Sequence, residues 1–194
     1  MITKYPDIPV KMQRLDHTFD PAPLLAEIDA HPELWDQNRE RKIGTDNPHR
    51  EAPDIWIRCH DIEPSRRRGT IRTWNDQAEG IWYPGYYALP AVIPIIFDIL
   101  RDLWATRLGW VLITKVPPGK EIHAHIDDGW NVKHHDTKVY AVLQSNPQCV
   151  NWVEDQNVVM KAGECWLFNN QLLHGLRNAG DTDRISMMVT MRTI

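Results

Sequence analysis

From residue 110 to the C-terminus the sequence alternates apolar and polar residues with a period of two, and short turn signals interrupt it at regular intervals. The stretches that read as strands are 110–116, 121–127, 138–143, 149–153, 158–161, 165–169, 172–177 and 184–192. Pro117-Pro118-Gly119, Ser145-Asn146-Pro147, Ala162-Gly163 and Ala179-Gly180-Asp181 separate them, residue types that set turn dihedrals or withhold a ladder donor. Eight short strands at this spacing have few ways to bury one face each. A double-sheet jelly roll or barrel, with helices packed outside, is the expected architecture.

Residues 1–109 differ in character. Asp20-Pro21 reads as an N-cap and first helical residue ahead of Leu24, Leu25 and Ile28. A second helix is expected over 94–108, where Ile96, Ile99, Leu100 and Leu103 form one stripe, Asp98, Arg101 and Asp102 face away, and Gly109 serves as C-cap. Between them, 54–59 reads as a short strand. At 194 residues the simplest organisation is one domain, with 1–109 as helical and loop support and 110–194 as the core.

A net charge of −4 argues against a broad nucleic-acid footprint. Three cysteines with no Cys-x-x-Cys pair argue against a disulfide framework or a thiolate zinc site, and favour a reducing cytoplasm. The N-terminus lacks the apolar run of a secretion signal, and Pro84, Pro90 and Pro94 break the longest uncharged run, so no membrane anchor is expected.

The chemistry concentrates in EIHAHIDDGWNVKHHD, residues 121–136, which hold four of the nine histidines. In an extended strand Glu121, His123, His125 and Asp127 share one face. A solvated polar face accounts for this segment alone equally well. The sharper reading pairs His125 with Asp127 in an H-x-D arrangement. Two histidines and a carboxylate form a facial triad that leaves open metal positions. His174, in a strand-like stretch downstream, is the candidate for the second imidazole. Ten residues on, Arg184 shares a face with Ser186, Met188 and Thr190. A guanidinium pointing inward from a barrel strand needs an anion, and its fork fits a carboxylate.

In that order the motifs resemble the Fe(II)/2-oxoglutarate-dependent oxygenases, specifically the aspartyl/asparaginyl β-hydroxylase family. The resemblance runs through Pro118-Gly119-x-x-Ile122, His125-x-Asp127, Lys161-Ala-Gly163-Glu164-x-x-x-Phe168-Asn169-Asn170, His174-x-x-x-Asn178 and Asp183-Arg184-Ile185-Ser186, with a fainter match at His49-Arg50-Glu51 and 55–58. It implies a double-stranded β-helix (cupin-like) core, with His125, Asp127 and His174 holding Fe(II) and no catalytic residue beyond the metal centre. Arg184 would bind the distal carboxylate of 2-oxoglutarate, with Thr114 and Ser186 beside it. Lys138 and Tyr140 stand where the family shows arginine and histidine near the chelating end of the co-substrate. Asn178 is placed either to orient a ligand or water or to cap a turn. The implied reaction consumes O2 and 2-oxoglutarate and hydroxylates an aspartyl/asparaginyl-type or related amino-acid or peptide side chain. Specificity is expected in the loops 41–53, 63–87 and 128–137, and Trp110, Trp130, Trp152 and Trp166 are candidates to wall the site.

Three rival readings compete. A cupin would use His123, His125 and His174 as ligands, although the glutamate it needs is missing. A non-catalytic binding module would need neither iron nor co-substrate. Arg66-Arg67-Arg68 near Trp74 would suit a nucleic-acid substrate, which the acidic balance disfavours.

Overall fold

A computed structural model describes residues 10–42, 47–69 and 80–193, without the side chains of Arg41, Ser65, Arg68 and Trp130. Two antiparallel sheets face each other. Strands β1 (Met12–Thr18), β2 (Asp54–His60), β3 (Gly80–Trp82), β4 (Arg107–Val116), β6 (Thr137–Gln144), β9 (Glu164–Phe168) and β11 (Arg184–Arg192) form the larger, in the order β1-β9-β6-β11-β4-β2-β3. The smaller has β5 (Glu121–His125), β7 (Cys149–Val153), β8 (Gln156–Val158) and β10 (His174–Asn178), in the order β5-β10-β7-β8. From β4 onward the chain crosses repeatedly between the sheets, which is the winding of a double-stranded β-helix.

All eight expected core strands are present, most within three residues of the predicted bounds. Two earlier strands have no alternating signature. In β1 the buried Met12 and Leu15 are three apart, because the register against β9 slips between Arg14 and Thr18. A bulge of this kind disguises a strand as a helical spacing. β3 is only three residues long.

The large sheet is buried on both faces, and β11 at its centre shows why. Ile185, Met187, Val189 and Met191 pack outward with Leu24 and Ile28 of α1 (Ala22–Ala30) and Ile95, Ile96 and Ile99 of the long helix Val92–Asp102. Burying each of these aliphatic side chains contributes about 2 kcal/mol. The alternate residues Arg184, Ser186, Met188 and Thr190 therefore face the space between the sheets. Leu24, Ile55, Val111, Val139 and Met187 share one core cluster, so the N-terminal elements and the jelly roll bury the same apolar surface.

Helix Val92–Asp102 stops six residues before the expected end. Trp104 adopts a positive φ of 54°, and Ala105 N–H donates to Leu100 O at 2.8 Å, so the helix is closed without a glycine. Gly109 lies instead inside β4. A Cβ there would stand 2.3 Å from Thr190 Oγ1 and 2.7 Å from the His135 ring, so the position requires close approach rather than a cap. α1 starts one residue later than read: Pro21 is its N-cap, and Asp20, just before it, accepts from Ala22 N through Oδ1 at 3.0 Å.

Candidate metal centre

The β5–β10 pairing brings the two distant histidines together. His174 lies directly opposite His125 in the antiparallel register, and the ring centroids are 4.1 Å apart. Gly175 permits this approach: a Cβ there would meet Ile122 O at 2.8 Å and the Trp152 ring at 2.7 Å. The register shifts immediately afterwards, between His174 and Leu176. His174 is 2% exposed, at the start of the strand rather than inside it.

Both imidazoles have a fixed tautomer. His125 Nδ1–H donates to His123 O at 2.7 Å, and His174 Nδ1–H donates to Leu172 O at 2.8 Å. A carbonyl only accepts, so each Nε2 carries the lone pair. Neither Nε2 is hydrogen-bonded, although both are buried. His125 Nε2 faces Asp127 Oδ1 at 3.3 Å. With Nδ1 as the donor, that contact sets a lone pair against a carboxylate oxygen, and a cation beside both makes it favourable. Burial, and then the charge of Lys138, push the His174 imidazole down to about 3, which keeps it neutral and able to ligate at ordinary pH.

Asp127 presents one oxygen and has the other occupied. Its Oδ2 accepts from Lys138 Nζ at 2.6 Å and from Asn170 Nδ2 at 2.9 Å, and its own N–H donates to Asn170 O at 2.9 Å. Burial works to raise this carboxyl, yet the Lys138 ammonium holds it well below the usual carboxylate range. Lys138 thus differs from its expected position at the chelating end of a co-substrate. At 6% exposure its ammonium needs a close counter-charge, and Asp127 supplies it. The Lys138 ammonium also lies 5.4 Å from the Phe168 ring and 5.7 Å from the Tyr140 ring.

Arg184 is 1% exposed and projects between the sheets. Its Nη1 donates to Ile185 O at 2.9 Å, Nη2 reaches only Met160 Sδ at 3.8 Å, and Nε is buried without a partner. Among the described residues no carboxylate pairs with it. Ser145 Oγ and Asn151 Nδ2 are likewise buried without hydrogen bonds, and both Ser145 and Arg184 approach the Cys149 thiol. Thr114 and Ser186 are cross-strand neighbours on the same inner face, one step from the Arg184–Val116 pair. Tyr140 lies opposite Met188 and is an electrostatic neighbour of Arg184, so it links the guanidinium to the Lys138 end. Asn178 is not part of this group. Its amide donates to Val116 O and Thr182 O, both at 2.8 Å, and accepts from Asn146 at 2.9 Å, so its capacity is spent on closing a turn.

A cavity of about 320 Å³ opens over the cluster, lined among others by His49, Trp110, Asn131, Val132, Met188 and Thr190. Asn47 and Pro48 from the first expected specificity loop and Asp128 from the third also line it, whereas 43–46 and 70–79 lie outside the described residues. Of the four tryptophans proposed as walls, Trp110 reaches the cavity. Trp152 covers Gly175, Trp166 donates to Glu164 at 2.9 Å, and the Trp130 side chain is outside the described set. His123 is not in the lining, and its Nδ1 pairs with Glu121 at 2.8 Å. Arg66 is engaged by Glu40 and Glu63, both at 2.6 Å, and Trp74 lies outside the described residues. His49 and Asn170 had no role assigned from sequence. The only signal for either was membership in a matching motif.

A sequence model of the family described as aspartyl/asparaginyl beta-hydroxylase matches residues 86–193, more than half of the chain. The chain belongs to that family. As an aspartyl/asparaginyl β-hydroxylase family member it is an enzyme of the hydroxylase class. No curated protein matches it in sequence. Solved structures agree on the fold. A Pseudomonas putida prolyl-4-hydroxylase is 16% identical, with a TM-score of 0.52, over 93% of this chain and 91% of that one. A collagen prolyl hydroxylase of Paramecium bursaria Chlorella virus-1, solved as its 2-oxoglutarate complex, is 10% identical with a TM-score of 0.56 over 95% and 97%. A 2OG-Fe(II) oxygenase-family oxidoreductase of Burkholderia pseudomallei is 13% identical with a TM-score of 0.53 over 88% and 78%.

The hydroxylase fold buries three neutral imidazoles, and this gives it a pH limit. Burial pushes His60 and His135 down to about 4 and His174 to about 3. The unfolded chain takes up protons near pH 6.5 that the folded chain refuses, so stability is intact above 6.5 and falls below it. At pH 5 each histidine costs about 1 to 2 kcal/mol relative to pH 7. Urea unfolding of the metal-free protein is expected to show a clearly lower midpoint at pH 5. A midpoint independent of pH from 7 to 5 rules this out.

Proposed function

We propose that the protein is a single-domain Fe(II)/2-oxoglutarate-dependent dioxygenase that hydroxylates an amino-acid or peptide side chain of aspartyl/asparaginyl type. The observation that carries the reading is the meeting of the His125 and His174 rings at 4.1 Å, with His125 Nε2 3.3 Å from Asp127 Oδ1, on a fold that also buries the Arg184 guanidinium without a carboxylate partner among the described residues. That donor set, two imidazoles and a carboxylate, fits Fe(II) with positions left open.

In this reading His125, Asp127 and His174 hold the metal. The backbone carbonyls of His123 and Leu172 orient the two rings, while Lys138 and Asn170 hold Asp127 to single-oxygen ligation. Arg184 binds the distal carboxylate of 2-oxoglutarate, with Thr114 and Ser186 beside it and Tyr140 along its length. When bound, iron with O2 and 2-oxoglutarate supplies the oxidation: the keto acid becomes succinate and CO2, and one oxygen atom enters a substrate C–H bond. The chain contributes orientation and exclusion of water, through the apolar surfaces of Trp110, Val132 and Met188 at the cavity. No helix among the described residues is long and apolar enough to cross a membrane. Three buried free cysteines support a reducing, cytoplasmic setting.

An anaerobic titration tests the class without knowledge of the substrate. Adding 2-oxoglutarate to the Fe(II)-loaded protein is expected to produce the visible charge-transfer band of the chelate. Tight iron binding with no band on saturating 2-oxoglutarate overturns the assignment.

A further inference from the structure

We propose that Asn131 recognises the primary substrate, and that the group it recognises is a neutral carboxamide rather than a carboxylate. Of the two side-chain types in the proposed function, this selects the asparaginyl. The inference rests on the oxygenase reading above.

The inner face of β11 has two ends. Arg184 lies at one, and Thr190, paired with Lys138 of β6, lies at the other. At roughly 3.3 Å per residue they are about 20 Å apart along the strand. A five-carbon diacid anchored at Arg184 does not span that distance. The cavity lining includes Lys138, Met188 and Thr190 but not Arg184, so it lies at the end left for a second molecule. Asn131, from the short helix Trp130–His134, is set there among the apolar surfaces of Trp110, Val132 and Met188.

Asn131 is 6% exposed, and half of its amide is already in use. Its Oδ1 accepts from His135 Nδ1 at 2.8 Å and lies 3.3 Å from Thr190 Oγ1, which itself accepts from Trp110 N–H at 2.6 Å. His135 N–H also donates to Asn131 O at 2.9 Å. These contacts fix the plane of the amide. Its nitrogen carries two N–H donors and makes no hydrogen bond among the described residues. Leaving such a donor unmade in an apolar wall is costly, and a ligand oxygen in the cavity satisfies it.

Charge decides between an amide and a carboxylate. The charged side chains of the lining are Asp127, Asp128 and Lys138. Lys138 is committed to Asp127 at 2.6 Å, and Asp128 is exposed with no cation paired to it among the described residues, so the wall is left negative. A divalent ion loaded together with a dianionic co-substrate leaves that balance unchanged. A substrate carboxylate would enter beside a like charge, with no guanidinium or uncommitted ammonium in the lining to meet it. A carboxamide has an oxygen for Asn131 Nδ2 and N–H groups for Asp128.

The probes are capped single residues, the N-acetyl methylamides of asparagine, aspartate and leucine, which share their backbone amides and differ only in the side chain. Each is titrated into the anaerobic Fe(II)/2-oxoglutarate complex and followed by ligand-observed NMR. The asparagine compound is expected to bind about tenfold or more tightly than aspartate, its acid counterpart, and than leucine, its apolar isostere. Asn131→Asp keeps the oxygen that faces His135 and Thr190 and removes the donor. It is expected to lower the asparagine affinity by about tenfold and to leave the charge-transfer band of 2-oxoglutarate in place. The wild-type comparison needs no mutation and decides even if the variant does not fold. Aspartate or leucine bound as tightly as asparagine, or no binding of any of the three, with the band intact, overturns the amide reading alone. Absence of the band on adding 2-oxoglutarate overturns the oxygenase reading and this inference with it.

Discussion

His174→Ala lowers iron-dependent 2-oxoglutarate turnover by about a thousandfold, the loss expected when several kcal/mol of metal-derived stabilisation disappear. The reason is geometric. His125 and Asp127 sit at the end of one strand and the two-residue tail beyond it, and His174 supplies the only imidazole from the opposing strand. Without it the metal has one strand to hold it, and iron affinity falls along with turnover. The replaced ring is 2% exposed, so alanine also leaves a cavity and costs about 3 kcal/mol of stability. His174→Gln keeps most of the volume and separates the two effects: its unfolding midpoint stays close to wild type while iron binding is lost. Asp127→Ala gives the same functional loss and in addition leaves the buried Lys138 ammonium without its carboxylate. His123→Ala, on the same strand but paired with Glu121, retains turnover. Turnover that survives in Asp127→Ala and is lost in His123→Ala removes the assignment in favour of a cupin-like ligand set.

Arg184→Met produces two effects of opposite sign. Binding of 2-oxoglutarate weakens by roughly thirty- to a thousandfold, the cost of removing one member of a buried, hydrogen-bonded charge pair. Stability without co-substrate rises, by about 1 to 4 kcal/mol. In the free protein the guanidinium is 1% exposed, has no carboxylate partner among the described residues and carries an unbonded Nε, so the bond to Ile185 O offsets only part of its desolvation. Methionine has a similar length and no charge to desolvate. Iron uptake is unchanged, because Arg184 belongs to β11 and touches none of the three proposed ligands. Urea unfolding without 2-oxoglutarate, set beside an anaerobic 2-oxoglutarate titration, measures both effects. Lower stability together with unchanged co-substrate affinity excludes the role.

The β-core was legible in the sequence because alternation reports directly on a strand with one buried face. Strands Cys149–Val153 and Arg184–Arg192 match their expected bounds, and the two faces of the latter divide as the alternation requires. The elements that escaped were those where alternation fails. Strand Met12–Thr18 carries a bulge, and Gly80–Trp82 is too short for a period. The end of helix Val92–Asp102 escaped for a different reason, since Trp104 adopts a conformation usually left to glycine.

The site divides along the same line. H-x-D spacing and an inward-facing arginine are local features of one strand each, and they were visible as residue types at fixed intervals. Partnership is not local. That Lys138 is bonded to Asp127 rather than waiting for a co-substrate, that Asn178 is used up in a turn, and that His49 meets His125 edge-on at the cavity wall all depend on which strands lie side by side. Residue order alone determined the strands of the core, the faces they present and the spacing of His125 and Asp127 on one face, because period and spacing are properties of the chain. Tertiary structure decided which distant groups meet them and which hydrogen-bonding capacity remains free, because contact and desolvation exist only once the sheets have closed over the cavity.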